Sequence, residues 1–190
     1  MSLLKQQNFL AKLYTDERLR RDFTFDPQKI GSENDLREDE IWEISAIFHE
    51  EINFFAASLF RKRLREAEKF LPLTKEVLKS DFDKLFRDFL QNYQARTIKK
   101  HLEDAREFCR FLQKKDFVSA IGKDVAKFEE AKIRFFVGGE SFVFCRLKFN
   151  VHEIFHSGEN DKSSYLSKIS KKTKFLIWIR FRRKIKHFVV

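Results

Sequence analysis

Apolar side chains recur at helical spacing along most of the first 115 residues, and the pattern predicts a bundle. Leu3, Leu4, Leu10, Leu13 and Tyr14 mark an opening helix, and Thr15 with Asp16 can cap a second, short helix running through Phe23. Pro27 to Asn34, with Gly31 and Ser32 as breakers, reads as a loop. The helical period resumes from Asp35 with Ile41, Ile44, Ile47 and Phe48, then Ile52, Phe55, Leu59 and Leu64, and Pro72 blocks its continuation past Leu71. Thr74 and Ser80 are candidate caps for the next helical stretch. Phe82, Leu85, Phe86, Phe89, Leu90 and Tyr93 form the cleanest amphipathic stripe in the chain. Thr97 is a candidate cap for a helix whose inner face is Ile98, Leu102, Ala105, Phe108, Cys109 and Leu112. A short break from Leu112 to Phe117 precedes a further helix carrying Ile121, Val125, Phe128 and Ala131.

The period changes after Ile133. Gly138-Gly139 is a turn signal between two runs of β-branched and aromatic residues. Beyond it, Cys145, Leu147, Phe149 and Val151 alternate with Arg146, Lys148, Asn150 and His152, which predicts a half-buried strand. His156 to Ser164 is polar and reads as a loop. The tail alternates again: Phe175, Ile177, Ile179, Phe181 and Ile185 fall on one side, and Arg180, Arg182, Lys184 and Lys186 on the other. The expectation is a mainly α fold, a bundle of five to seven helices with a small C-terminal antiparallel β element of two or three strands. In domain terms, residues 1–132 form the helical part and 133–190 a basic, β-containing part packed on it.

Composition supports a packed core: 43% of residues are hydrophobic and 24 are Phe, unlike a disordered chain. No apolar stretch approaches the ~18 residues of a membrane helix, and the opening Met-Ser-Leu-Leu-Lys-Gln-Gln lacks the basic start and apolar run of a secretory signal. Cys109 and Cys145 are far apart with no CxxC, which suits reduced thiols in a cytoplasmic protein.

Charge narrows the picture further. From Lys162 to Val190 there are ten Lys or Arg and no Asp or Glu, equal to the whole formal net charge of +10. A strand with Arg180, Arg182, Lys184 and Lys186 on one face, and Trp178 beside them to stack on a base, is a candidate surface for an acidic protein or peptide, or for nucleic acid. The alternative is a solvated edge strand kept from aggregation by its cations. Arg61-Lys62-Arg63-Leu64-Arg65 lies inside a helix and reads as a solvated face.

His152-Glu153-Ile154-Phe155-His156 matches HExxH, whose zinc chemistry needs both histidines on one helix face. Here the first His ends a strand-like run and Gly158 follows the second almost at once. The extended form of the motif would put Gly at 159 and a ligand at 162, where Glu159 and Lys162 stand. A metal-dependent hydrolase is therefore the weakest reading, and no metal or other cofactor is expected. His101 and Asp104, one helical turn apart, suit an exposed hydrogen-bonded pair better than an ion site. There is no glycine-rich phosphate loop and no GxSxG.

Three blocks carry a resemblance. Phe9-Leu10-Ala11-Lys12-Leu13-Tyr14-Thr15-Asp16 with Leu19, Phe23 and Pro27 is one. Phe55-Ala56-Ala57-Ser58-Leu59 through Lys62-Arg63 and Leu71-Pro72-Leu73-Thr74 is the second. Lys100-His101, Asp104-Ala105, Phe108 and Phe128-Glu129-Glu130-Ala131 make the third. Over residues 3–135 the chain resembles a family of small, uncharacterised bacterial helical proteins. That family is in turn distantly similar to the DNA-binding accessory proteins of multinuclear iron oxidases that act on peptides. The resemblance implies a helical scaffold or accessory role and carries no catalytic residues.

Overall fold

The computed structural model describes residues 2–47, 49–93, 100–151, 170–182 and 184–190. Among them lie nine α-helices, one π-helical turn and three strands, so the chain is mainly α with a small antiparallel sheet at its C-terminal end. Two compact units divide it, Met1–Arg63 and Leu64–Val190.

The first unit contains α1 (Ser2–Thr15), α2 (Glu17–Phe25), α3 (Pro27–Glu33) and α4 (Glu38–Ala46), and α5 (His49–Phe70) runs from it into the second. Phe9, Leu13, Phe23, Ile41, Ile44 and Ile52 form its core. Asp16 caps α2 by accepting from the Leu19 amide at 2.9 Å. The segment expected as a loop from Pro27 is instead α3. Asp26 accepts from the Lys29 amide at 3.0 Å, and Pro27 stands at the first helical position, where its missing N–H costs nothing. Gly31 does not break this helix: it lets α3 approach α4 so closely that a Cβ would overlap the Ile41 side chain.

The second unit continues with α6 (Pro72–Leu78), α7 (Asp81–Gln91), α8 (Lys100–Lys114) and α9 (Ala120–Lys132). The stripe of α7 buries Phe82, Phe86 and Phe89 against Phe108 of α8, with ring centroids 5.1 to 5.6 Å apart. The proposed Thr97 cap lies outside the described residues. Past α9 the first apolar run does not become a strand. It continues the helix as a π turn, Ile133–Val137, closed by the Gly138 amide on the Ile133 carbonyl at 2.8 Å. Arg134 then holds the Glu140 carboxylate through two nitrogens, at 2.9 and 2.7 Å, across Gly138-Gly139.

The sheet has order β1-β2-β3, from β1 (Phe142–Leu147), β2 (Lys174–Phe181) and β3 (Lys184–Val189), antiparallel throughout. Val143, Cys145 and Leu147 of β1 and Leu176 and Trp178 of β2 share a core with Leu73 of α6 and Val125, Phe128 and Ala131 of α9. The change of texture after Ile133 thus falls inside one unit. β1 stops at Leu147, although alternation continues beyond it in sequence. The Asp124 carboxylate there accepts the Lys148 and Phe149 amides and draws the backbone out of the ladder.

Helix α6 depends on a side chain 55 residues away. Its N-cap position is Leu71, which has no polar side chain to offer, and Thr74 is its buried third residue rather than its cap. Glu129 of α9 does the capping, accepting from the Leu73 amide at 2.8 Å and the Thr74 amide at 2.9 Å. Ser80 stands at the N-cap of α7, without a side-chain cap bond.

Burial pushes the Glu129 carboxyl up from its usual 4.5 to about 7. The folded protein therefore binds more protons than the unfolded chain between those values. Its contribution is favourable below pH 4.5 and is lost as pH rises through about 7. Urea denaturation at pH 5 and pH 8 should show Glu129→Gln reducing the fall in stability by on the order of 3 kcal/mol relative to the parent. Equal pH dependence in the two proteins would refute the assignment.

Candidate nucleic-acid interface

The tail is a hairpin, not one long strand. Arg182, with φ 55°, stands in the turn between β2 and β3. Because residues paired across antiparallel strands share a face, the register sorts every tail side chain. Leu176 pairs with Val189, Trp178 with His187 and Arg180 with Ile185, all on the side toward the helices. Ile177 pairs with Phe188, Ile179 with Lys186 and Phe181 with Lys184, on the side away from them.

The expected open face of Arg180, Arg182, Lys184 and Lys186 is therefore not formed. β2 is apolar on both sides, so alternation alone could not tell which side packs, and the even-numbered side does. Trp178 is only 3% exposed, wedged near Phe128 and Phe135 with the His187 ring stacked on it at 5.1 Å. It is part of the core and offers no surface to a base. Arg180 is likewise committed: its guanidinium donates to the Phe135 carbonyl at 2.7 Å and lies 4.9 Å from that ring's centre. Lys184 and Lys186 are exposed, as is Arg182 in the turn.

The outer side of the sheet holds the feature that sequence reading missed. Cross-strand rows run Phe142–Ile179–Lys186, Phe144–Ile177–Phe188 and Arg146–Phe175, with Phe181–Lys184 next to the turn. Phe142, Phe144, Phe181 and Phe188 are 57%, 50%, 71% and 47% exposed. Phe144 stacks on Phe175 at 5.9 Å, and the Arg146 guanidinium lies 5.8 Å from the Phe175 centroid. The result is an aromatic face on adjacent cross-strand rows, rimmed by Arg146, Lys184 and Lys186. Its signal in the sequence was present: Phe142 and Phe144 alternate with Val143 and Cys145, so both sides of β1 are apolar toward its start.

The HExxH segment, His152 to His156, lies outside the described residues. At the start of α8, His101 is exposed and Asp104 fully buried. No group of three or more His, Cys, Asp or Glu among the described residues is arranged to hold a metal ion. Both cysteines are free and buried, and burial pushes Cys145 up to about 11 and Cys109 well above its ordinary value, so neither is a thiolate at neutral pH. No helix among the described residues is long and apolar enough to cross a membrane.

The two kinds of tail cation should separate in a stability measurement. Arg180→Ala leaves the Phe135 carbonyl without its donor and should cost about 1–3 kcal/mol in urea denaturation. Lys184→Ser and Lys186→Ser should each stay within about 0.5 kcal/mol of the parent. No family model matches this chain, and none of the curated proteins does.

Proposed function

We propose that this protein is a non-enzymatic binding or accessory protein that holds single-stranded nucleic acid on the outer face of its C-terminal sheet. The observation that carries the reading is the aromatic face with Arg146, Lys184 and Lys186 at its rim. Exposed rings give unpaired bases a flat apolar surface to stack on, and cations beside them neutralise phosphates. Duplex bases are already stacked on one another and have no free face to offer such rings. The accessory role agrees with what the resemblance over residues 3–135 implies.

A second reading, strand addition of an acidic peptide, rests on a different observation. All residues of β3 are exposed, and β3 is an edge of the sheet among the described residues. Phe175 and Val190 exchange both backbone hydrogen bonds, at 2.9 and 3.0 Å. By the alternation of the ladder, Ile185, His187 and Val189 turn their amides outward, where a further strand could pair.

Fluorescence anisotropy of labelled single-stranded DNA and RNA, with a duplex of equal length, tests the first reading. Single strands should bind in preference to the duplex, with a log–log salt slope of about −2 for three neutralised phosphates. Phe144→Ala and Phe188→Ala should each weaken binding at least about fivefold. Joint Lys184→Ser and Lys186→Ser substitution should flatten the slope by about 1.4. Absence of binding at near-physiological salt, or equal affinity for duplex, would sink it. Binding of a Glu-rich alternating peptide that survives salt, and is abolished by Ile185→Pro, would instead select strand addition.

A further inference from the structure

Strand β3 is exposed on both sides of the sheet. Ile185 and Val189 turn toward the helices yet remain 50% and 37% exposed, because the core beneath the sheet is built on residues of β1 and β2. On the outer side Lys184, Lys186 and Phe188 are exposed as well. Its six residues run in continuous register with β2, without a proline or a bulge. Among the described residues no strand lies beyond it, so the amides and carbonyls of Ile185, His187 and Val189 face outward from an open edge. The two lysines are what opposes pairing there, and they do so only where a cation stands across from them.

The residues of β3 complement their own reversed order. In an antiparallel pair of two such strands centred on His187, each of Ile185, His187 and Val189 meets an outward-turned residue of the other strand. On the side toward the helices Ile185 stands opposite Val189, a β-branched pair that covers both. On the outer side Lys186 stands opposite Phe188, and Lys184 opposite Val190, so no lysine faces a lysine. Moving the axis to Lys186 sets the two Lys186 ammoniums directly across from each other. Moving it to Phe188 leaves Ile185 facing no residue of β3. One register therefore satisfies the backbone and keeps the cations apart.

We propose that β3 pairs with β3 of a second copy of this chain about a two-fold axis at His187, joining the two three-stranded sheets into one. The outer rows then continue across the axis: Phe142, Ile179 and Lys186 of one copy run on into Phe188, Ile177 and Phe144 of the other. Both aromatic faces become one surface, to which each copy contributes rings and cations. That this joined surface holds a single strand rests on the nucleic-acid reading; the pairing itself does not. A second copy occupies the edge that a peptide would need and leaves the outer side open.

Sedimentation equilibrium of the full chain tests this at low and high salt. The weight-average mass should rise from one chain toward two between about 5 and 500 μM. The rise should come at lower concentration in about 0.5 M salt, because screening removes the repulsion between two basic sheets. Ile185→Pro removes an amide that β2 does not use, so it should keep the protein monomeric with a thermal midpoint close to the parent's. Cross-linking reads the register: Lys186→Cys mixed with Phe188→Cys should give disulfide-linked dimers on oxidation, and Lys186→Cys alone at least about fivefold fewer. A monomer at every concentration and salt, a dimer that Ile185→Pro leaves intact, or equal cross-linking by Lys186→Cys alone would each overturn the proposal. Dimers that bind no single strand would uphold the pairing and remove the nucleic-acid reading. Single-strand binding by a protein that stays monomeric would do the reverse.

Discussion

Three carboxylates on α9, all largely removed from solvent, hold the second unit together. Asp124 takes the amides of Lys148 and Phe149, ending β1 where the chain must leave the sheet. Glu129 takes the two first-turn amides of α6 that Pro72 does not remove. Glu130 accepts from Arg110 at 2.9 Å and Gln113 at 3.1 Å on α8. A buried acceptor must find donors or lose several kcal/mol of solvation. Each acid therefore favours the arrangement that brings these donors to it. The apolar side of the same helix, Val125, Phe128 and Ala131, supplies the sheet's half of the core.

That arrangement explains how a β hairpin rich in cations is anchored. Leu176 and Trp178 provide the burial, and Arg180 closes the sheet against the π turn through the Phe135 carbonyl. Arg180 therefore serves the fold. Lys184 and Lys186, on the outer side, stay exposed beside the outer rings. A polypeptide with its positive charge concentrated at one end can thus divide that charge between core contacts and exposed surface, according to which side of a strand each residue occupies.

The sheet uses both of its sides. One is covered by α6 and α9, while the other leaves large aromatic rings in contact with water. Burying those rings would release on the order of 25 cal/mol per Å² of apolar area, so a ligand that stacks on them gains without first displacing any helix. The binding proposed for this face would depend on charge and flat apolar area, a combination that gives affinity with little sequence preference.

Periodicity was sufficient for much of the architecture. The 3.6-residue pattern of Phe82, Phe86 and Phe89, or of Leu102, Phe108 and Leu112, marks the buried side of a helix because only one side is apolar. The alternation of Cys145 and Leu147 with Arg146 and Lys148 marks the inner side at the end of β1, where only one side is apolar. The helix at Pro27 was hidden because its Gly and Ser resemble a loop, whereas the Asp26 cap and the close approach to Ile41 make it helical. Local pattern failed at β2, where Phe175, Ile177 and Ile179 compete with Leu176 and Trp178 and either side could face inward. The helix layer decided it, by fitting the indole between Phe128 and Phe135. What the sequence alone determined was therefore the helical character, the presence of strands after Ile133 and the concentration of charge in the tail. Which side of the hairpin packs, which cations it retains, and the partnership of Glu129 with α6 depend on contacts between residues far apart in sequence, which local periodicity does not encode.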